Sequence, residues 1–349
     1  MKRWRILLLC GLLCAVCIGV RREQYGGYFA VLSAEAVRLR NPNPRNPGFT
    51  EIFHYFPDGH ISVLPGLEGG YTMYWAEYKN FRTRGDSNQP REQVLDNDAK
   101  EVYGGRGNWE RPDNGGSWLM SVFRLEEEHL IGFSHMEDHW YPHAGNDIAW
   151  KSIGVTRSAD DGISWSETRQ IITSAREKPE EPTWGGAGDC CAVWDGKNAR
   201  WVLFYQENFL CMAISHDPLG APGTWYKYFR GSFSSPGLGG PSTPIPGLVT
   251  VPGSNPSVHW NTHLESWVMV WHSWEGDIYI SYSPDLEHWE LPCLLLSGGN
   301  SLCWYPTVIG ETDTLAGQTA KLYYADIQAD FSWRLFLCRE IAFHKSGVR

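Results

Sequence analysis

Apolar and polar residues alternate in short runs along most of the chain, and each run ends in a cluster of Gly, Asp, Asn or Pro. The stretch IAWKSIGVTR, residues 148–157, is typical. Alternation with a period of two indicates a half-buried β-strand, and the clusters that follow supply turn residues. No segment keeps a helical period. The pattern therefore predicts an all-β fold of many short strands.

One turn recurs along the chain. The sequence RSADDGISW, residues 157–165, follows a predicted strand and holds Ser158, Asp160, Gly162 and Trp165. The same order of Ser, Asp and Trp returns in two later turns: Ser215, Asp217 and Trp225, then Ser283, Asp285 and Trp289. An Asp can cap backbone N–H groups two residues on, and Gly accepts a positive φ. We therefore predict that these turns are rigid hairpin caps with a structural role.

The strands before each cap also recur. An apolar strand, a short turn and a second strand precede each one, and similarity repeated at ~40–65 residues indicates a propeller blade. We predict one domain over residues 50–349, a five-bladed β-propeller with blades of three to four antiparallel strands. The segment 21–49 contains YFAVLSAEAVRL, which we expect to complete the last blade and close the ring.

The first 20 residues have the layout of a signal peptide, with Lys2, Arg3 and Arg5 before an apolar run. The alternative is an uncleaved N-terminal anchor. Either implies a secreted, periplasmic or cell-surface protein. The net charge of −10 argues against a nucleic-acid partner and against an anionic membrane surface. We expect a monomer without a membrane partner beyond such an anchor.

Six of the nine cysteines lie beyond this segment. An exported chain can form disulfides, and Cys293 and Cys303 flank one turn segment, so they are the expected pair. The cysteine spacing does not match a zinc site.

Polar residues open the predicted inner strands, which should converge on one rim of the central tunnel. They are Asp58, Asp113, Asp189, Asn255 and Tyr305, and the acids Glu137 and Glu207 end second strands. Any one of these acids could be a solvated turn residue, but charges beside apolar strands are costly unless they are paired or used. Two convergent carboxylates can hydrolyse a glycosidic bond, one protonating the leaving oxygen and the other activating water or attacking. Aromatic residues near the predicted rim could stack on sugars: Trp184 and Trp260, with Trp109, Trp140 and Trp304.

The stretch SHMEDHW places His135, Glu137 and His139 on one face of a strand. Such a cluster could be a proton donor with a tuned pKa, a site for a structural Ca²⁺ or other divalent metal, or a hydrogen-bonded strand end. We prefer the first function and expect no other cofactor.

The inner strand with D-x-x-x-V, the following WVLFYQE and the closing SPDLEHW resemble the five-bladed propeller glycosidases of the arabinanase, levansucrase and invertase group. The resemblance covers most of residues 50–340. It implies that Asp58 is the general base or nucleophile and that Asp189 tunes a pKa and holds substrate. The group has a Glu acid opening blade 4, where this chain has Asn255, so we expect Glu137 to supply the acid.

The resemblance thus predicts an exported glycoside hydrolase acting on a poly- or oligosaccharide. The turn at 158–165 also resembles the Asp boxes of sialidases, although we find no arginine triad. Two further alternatives remain, a glycan-binding propeller without catalysis and a purely structural propeller.

Overall fold

The computed structural model describes residues 27–39, 57–77, 79–95, 110–140, 148–328 and 334–346. The predicted signal segment and Trp109 lie outside these residues. Within them the chain forms strands and one short 3₁₀ helix, Pro90–Glu92. No helix in this part of the chain is long and apolar enough to cross a membrane.

The strands form five antiparallel sheets, each one blade, as the sequence predicts. Two N-terminal strands come first, β1 (Tyr28–Leu32) and β2 (Val37–Leu39). Blade 1 contains β3 (Ser62–Pro65), β4 (Tyr71–Glu77), β5 (Lys79–Gly85) and β6 (Val94–Leu95). Blade 2 contains β7 (Gly116–Glu126), β8 (His129–Asp138), β9 (Trp150–Ser158) and β10 (Arg169–Ile172), with β11 (Gly185–Gly186) parallel to β9.

Blade 3 contains β12 (Gly188–Asp195), β13 (Arg200–Glu207), β14 (Phe209–Ser215), β15 (Trp225–Phe229) and β16 (Ser232–Pro236). Blade 4 contains β17 (Gly253–Asn261), β18 (Ser266–Ser273), β19 (Ile278–Ser283) and β20 (Cys293–Leu296). Blade 5 contains β21 (Ser301–Ile309), β23 (Thr319–Gln328) and β24 (Arg334–Lys345), and β22 (Leu315–Ala316) pairs with β17. Strands β1 and β2 both pair with β24, so an N-terminal segment forms the outer edge of the last blade.

The hydrophobic core is divided among the interfaces between blades. Five clusters of buried residues lie between neighbouring blades, including blades 5 and 1. Blade strands are apolar on both faces because each face packs against another blade.

The inner strands are also linked around the axis by small polar side chains. The hydroxyl of Ser62 accepts from Val122 N at 2.9 Å, and Ser121 accepts from Ala192 N at 3.0 Å. The same link recurs at two further junctions: Ser257 accepts from Val308 N at 3.2 Å, and Thr307 accepts from Ile61 N at 3.2 Å. A backbone N–H of each of these inner strands is thereby satisfied by a side chain of the preceding blade.

The three Ser–Asp–Trp turns occupy equivalent positions, each between the third and fourth strands of its blade. In each, the Ser hydroxyl accepts from the Asp N–H, and the Trp indole donates to a carbonyl of the same turn. Each indole also meets the edge of an aromatic ring on the second strand of the preceding blade, at 5.6–5.8 Å: Tyr74–Trp165, Phe133–Trp225 and Phe204–Trp289. The caps therefore join neighbouring blades as well as close hairpins.

The disulfide expected between Cys293 and Cys303 is not formed in the structure. Cys293 lies on β20, the outer strand of blade 4, and Cys303 lies on β21, the inner strand of blade 5. The segment between them carries the chain from the outer edge of one blade to the inner edge of the next. The two cysteines are therefore close in sequence but lie on different blades.

Candidate functional site

A cavity of about 640 Å³ opens where the inner strands begin. Three carboxylates from three different blades line it: Asp58, Glu137 and Asp189. The remaining lining includes aromatic rings, amides and two cations: Trp118, Trp184, Trp274, Trp304, Tyr305, His135, His272, Gln206, Asn208, Asn255, Lys151 and Arg334. The composition is that of a ligand site, with apolar walls and a few convergent polar groups.

An unusual backbone conformation presents three of these residues. Asp189, Asn255 and Tyr305 have φ values of +51°, +52° and +56°. Each lies where the pairing of an inner strand with its second strand shifts register. A bulge of this kind bends the strand and redirects a side chain, and non-glycine residues with positive φ are uncommon. Blades 3, 4 and 5 thus each have the same type of strand bulge, with a positive-φ residue, at the cavity.

Asp189 is held as a carboxylate. Its Oδ2 accepts from Lys151 Nζ at 2.8 Å and from Ser254 Oγ at 2.7 Å. Burial opposes ionisation, but the charge of Lys151 and these hydrogen bonds outweigh it and hold the pKa of Asp189 below its usual range. Lys151 also donates to Gln206 Oε1 at 2.6 Å, so this cation links Asp189 to the second strand of blade 3.

Glu137 lies between two imidazoles. Its Oε1 is 3.3 Å from His135 Nε2, and its Oε2 is 3.0 Å from His139 Nε2. Burial again opposes ionisation, but the hydrogen bonds from His135 and His139 lower the pKa of Glu137 below its ordinary value. This direction does not support the proton-donor function that the sequence suggested for Glu137.

His135 connects two of the carboxylates. Its Nδ1 accepts from the backbone N–H of Asp189 at 2.9 Å, so the neutral ring carries its proton on Nε2, facing Glu137. The ring is buried between blades 2 and 3 and packs edge-on against Trp118. A Cβ on Gly188 would lie 2.6 Å from Nδ1, so glycine at this position allows the close approach.

Asp58 differs from the other two acids. Burial raises the pKa of Asp58, and the nearby charges of Glu137 and Asp189 raise it further. Arg334, whose guanidinium is 3.8 Å from Oδ1, and a hydrogen bond with Tyr305 act in the opposite direction but do not overcome burial. The cavity therefore combines one carboxyl group whose pKa is raised with two whose pKa values are lowered.

Asp113 does not line the cavity, although its position in the sequence suggested that it would. Its buried carboxylate pairs with Arg111, at 2.7 Å from Nε and 2.9 Å from Nη2, and accepts from Ser117 Oγ at 3.3 Å. This local ion pair satisfies the acid within its own turn.

Glu207 also lies outside the cavity lining, whereas its neighbour Gln206 is part of it. Successive side chains of a strand point to opposite faces, so the acid faces away and accepts from Ser242 Oγ at 2.6 Å. Gln206 lies opposite Gly188 in the sheet, and His272 lies opposite Ser254. These two second-strand positions are equivalent to the position of His135. A polar residue therefore recurs there in three blades, and this repetition is the sequence signal that could have identified Gln206 and His272 as lining residues.

Only some of the tryptophans that the sequence suggested as sugar-stacking residues line the cavity. Trp184 and Trp304 line the cavity, and so does Trp274, which the sequence did not single out. Trp260 packs against Trp267 with ring centroids 5.4 Å apart, and Trp140 is buried and donates to Pro179 O at 2.7 Å. Neither of these two is among the lining residues. His139 reaches the site only through Glu137.

Within the described ranges, no group of three or more His, Cys, Asp or Glu side chains could hold a metal ion. The imidazoles of His135 and His139 are directed at the Glu137 carboxylate instead.

Burial lowers the pKa of His272 to about 3, so this ring is neutral, and it stacks on Trp304.

No protein-family model matches the chain, and no curated protein matches it. Solved structures of glycosidases share its fold at low sequence identity. A GH43 β-1,3-galactosidase with galactodeoxynojirimycin gives a TM-score of 0.52 at 10% identity, covering 88% of this chain and 94% of that one. A Cellvibrio cellulosa α-L-arabinanase mutant gives 0.51 at 9% identity, covering 80% and 90%. The catalytic domain of a Coprinopsis cinerea GH62 α-L-arabinofuranosidase gives 0.50 at 8% identity, covering 90% and 98%. The resemblance to five-bladed glycosidases is thus confirmed for the fold.

Proposed function

We propose that this protein is a glycoside hydrolase that cleaves an oligo- or polysaccharide in the central cavity. The observation that carries the proposal is the meeting of Asp58, Glu137 and Asp189 from blades 1, 2 and 3 in one aromatic-walled cavity. The glycosidase structures of the same fold support the assignment. The expected export of the chain remains a prediction, and we propose that the enzyme acts outside the cytoplasm.

The carboxyl groups divide the chemistry according to their protonation. Asp58, whose pKa is raised, protonates the glycosidic oxygen as the bond to the leaving group breaks. Glu137, kept ionised by two imidazoles, accepts the proton of the attacking water. Asp189 remains a carboxylate and raises the pKa of Asp58 through its charge. This division reverses the functions that the sequence suggested for Asp58 and Glu137.

Hydrolysis of a panel of plant, algal and bacterial polysaccharides tests the proposal. We expect Asp58→Asn and Glu137→Gln each to reduce turnover by about 10²–10⁴-fold, the usual contribution of general acid–base catalysis. Asp58→Asn should spare activated aryl glycosides, whose leaving groups need little protonation, whereas Glu137→Gln should impair both substrate types. Asp113→Asn, outside the cavity, is the matched control for loss of an acid. If the Asp58 variant lost both activities equally, Asp58 would not be the donor.

One observation favours a second candidate, a glycan-binding propeller without catalysis. Asn255 lines the cavity, and it stands at the position where the glycosidases that this chain resembles have a glutamate as the general acid. Under this alternative the protein binds glycans and wild-type hydrolysis is absent. Asn255→Glu would then be the variant to examine for gain of hydrolysis.

A further inference from the structure

Two tryptophans at the cavity are unusually exposed for such large apolar rings. Trp184 is 57% exposed and Trp274 is 45% exposed, and both line the cavity that holds the three carboxylates. Trp184 precedes β11 and Trp274 follows β18, so they come from separate parts of the ring with blade 3 between them. Exposed apolar surface that is rimmed by polar residues is typical of a ligand-binding groove.

The backbone fixes the position of Trp184. Gly185 and Gly186 pair with Trp150 and Lys151 of β9. A Cβ at Gly185 would meet the Trp150 ring, and one at Gly186, where φ is +84°, would meet the backbone of Lys151. The two glycines therefore let the segment lie flat on blade 2, and Trp184 extends from a close-packed base rather than from a loose loop.

The turn that carries Trp274 is fixed in a comparable way. Ser273 N donates to Asp277 O at 2.8 Å, and Gly276 O accepts from Cys303 N of blade 5 at 2.9 Å. Gly276 has a φ of +90°, and a Cβ there would collide with Leu302. The indole meets His272 edge-on at 6.1 Å. The backbone beside each exposed ring is thus held in place by the fold.

We propose that Trp184 and Trp274 are two sugar-stacking platforms, so that the substrate is a glycan chain whose units are recognised beyond the bond that is cleaved. This inference rests on the proposed function and narrows its substrate class. Indole faces pack against the C–H faces of sugar rings with large contact area and little loss of side-chain freedom. A substrate that contacted only the carboxylates would leave both rings in water.

Binding to oligosaccharides of increasing length tests the inference. The Glu137→Gln protein, which should bind without turnover, is titrated by calorimetry with arabino-oligosaccharides and β-1,3-galacto-oligosaccharides from the disaccharide upward. We expect affinity to rise with length and then level off. Adding Trp184→Ala or Trp274→Ala should weaken binding of the longer ligands by about tenfold, equivalent to about 1.4 kcal/mol, and leave the disaccharide nearly unchanged.

Trp194→Ala in the same background is the matched control. Trp194 is 38% exposed but packs on Trp201 of blade 3 and does not line the cavity. Trp184→Phe and Trp274→Phe should restore most of the affinity, because they keep an aromatic face. If glycans bind and the alanine variants match the control at every length, the platforms are overturned while the proposed function stands. If neither these ligands nor the polysaccharide panel binds or is cleaved, the proposed function itself fails.

Discussion

The Ser–Asp–Trp turns and the central cavity both depend on carboxylates, but the partners of those carboxylates differ. In the turn at 158–165, Asp160 accepts from the backbone N–H and the hydroxyl of Ser164, at 2.9 and 2.6 Å. In the cavity, Asp189 is held by Lys151 and Ser254, which come from blades 2 and 4. An acid with local partners stabilises one turn, whereas an acid with partners from several blades forms part of a shared electrostatic site.

The same contrast applies to aromatic side chains. The cap tryptophans pack into interfaces between blades, while Trp184 and Trp274 lie uncovered at the cavity. We therefore expect changes in the caps to lower stability and changes at the cavity to alter binding or protonation.

The largest effect on stability should come from Trp225→Ala. Trp225 is buried between blades 2 and 3 and meets Phe133 edge-on at 5.8 Å. Removing a buried tryptophan typically costs about 3–5 kcal/mol, which should appear in chemical denaturation. Trp165→Ala should cost less, because Trp165 is only half-buried. Glycan hydrolysis per folded molecule should be unchanged in both, and equal losses of stability would contradict the dependence on burial.

Asp313 provides a test of a buried carboxylate whose partners lie across an interface between two blades. Its Oδ1 accepts from Val63 N at 2.8 Å across the interface between blades 5 and 1, and His60 Nδ1 lies 3.8 Å from Oδ2. Burial raises the pKa of Asp313 to about 7 and lowers the pKa of His60 to about 4, so the pair is neutral in the folded protein near pH 6.

Because the folded protein then binds the Asp313 proton more tightly than the unfolded chain, this group makes stability fall as pH rises from about 4 to about 7. His60 acts in the opposite direction, since the unfolded chain binds its proton more tightly between about pH 4 and 6.5. Comparison with Asp313→Asn isolates the first effect. Asn keeps an acceptor for Val63, and we expect its advantage over wild type to grow by roughly 2–4 kcal/mol between pH 4 and 8. Parallel stability curves would show that Asp313 does not titrate in this range.

His135→Asn should have the smallest effect on stability and should act mainly on the pKa of Glu137. Asn can still accept from Asp189 N but cannot reach Glu137, so the pKa of Glu137 should rise. Carbon-13 NMR of the side-chain carboxyls measures this directly and needs no substrate. His139→Asn should also raise the pKa of Glu137 but leave the pKa of Asp189 unchanged, because the His139 ring is hydrogen-bonded to Glu137 and not to Asp189. A Glu137 pKa that did not respond to either change would show that the imidazoles do not stabilise its charge.

The spacing of apolar strands and of the Ser, Asp and Trp turns was enough to predict the five-bladed ring. These features arise from hydrogen bonds and packing within one repeat, and repeats of similar sequence adopt similar structures. The inner-strand positions of Asp189, Asn255 and Tyr305 were found for the same reason, since equivalent positions in a ring converge on one axis.

Which acids reach the cavity was decided by tertiary structure. Asp113 and Asp58 both precede inner strands, but Arg111 satisfies the first locally. Glu207 and Gln206 are adjacent, and the pleat turns only the second toward the axis. The protonation of each acid depends on neighbours far away in sequence, such as Lys151 for Asp189 and Tyr305 for Asp58. The sequence alone determined the repeat, because the interactions that form each repeat are local. The burial and the electrostatic environment of the site residues depend on several blades at once, so they exist only when the ring is closed.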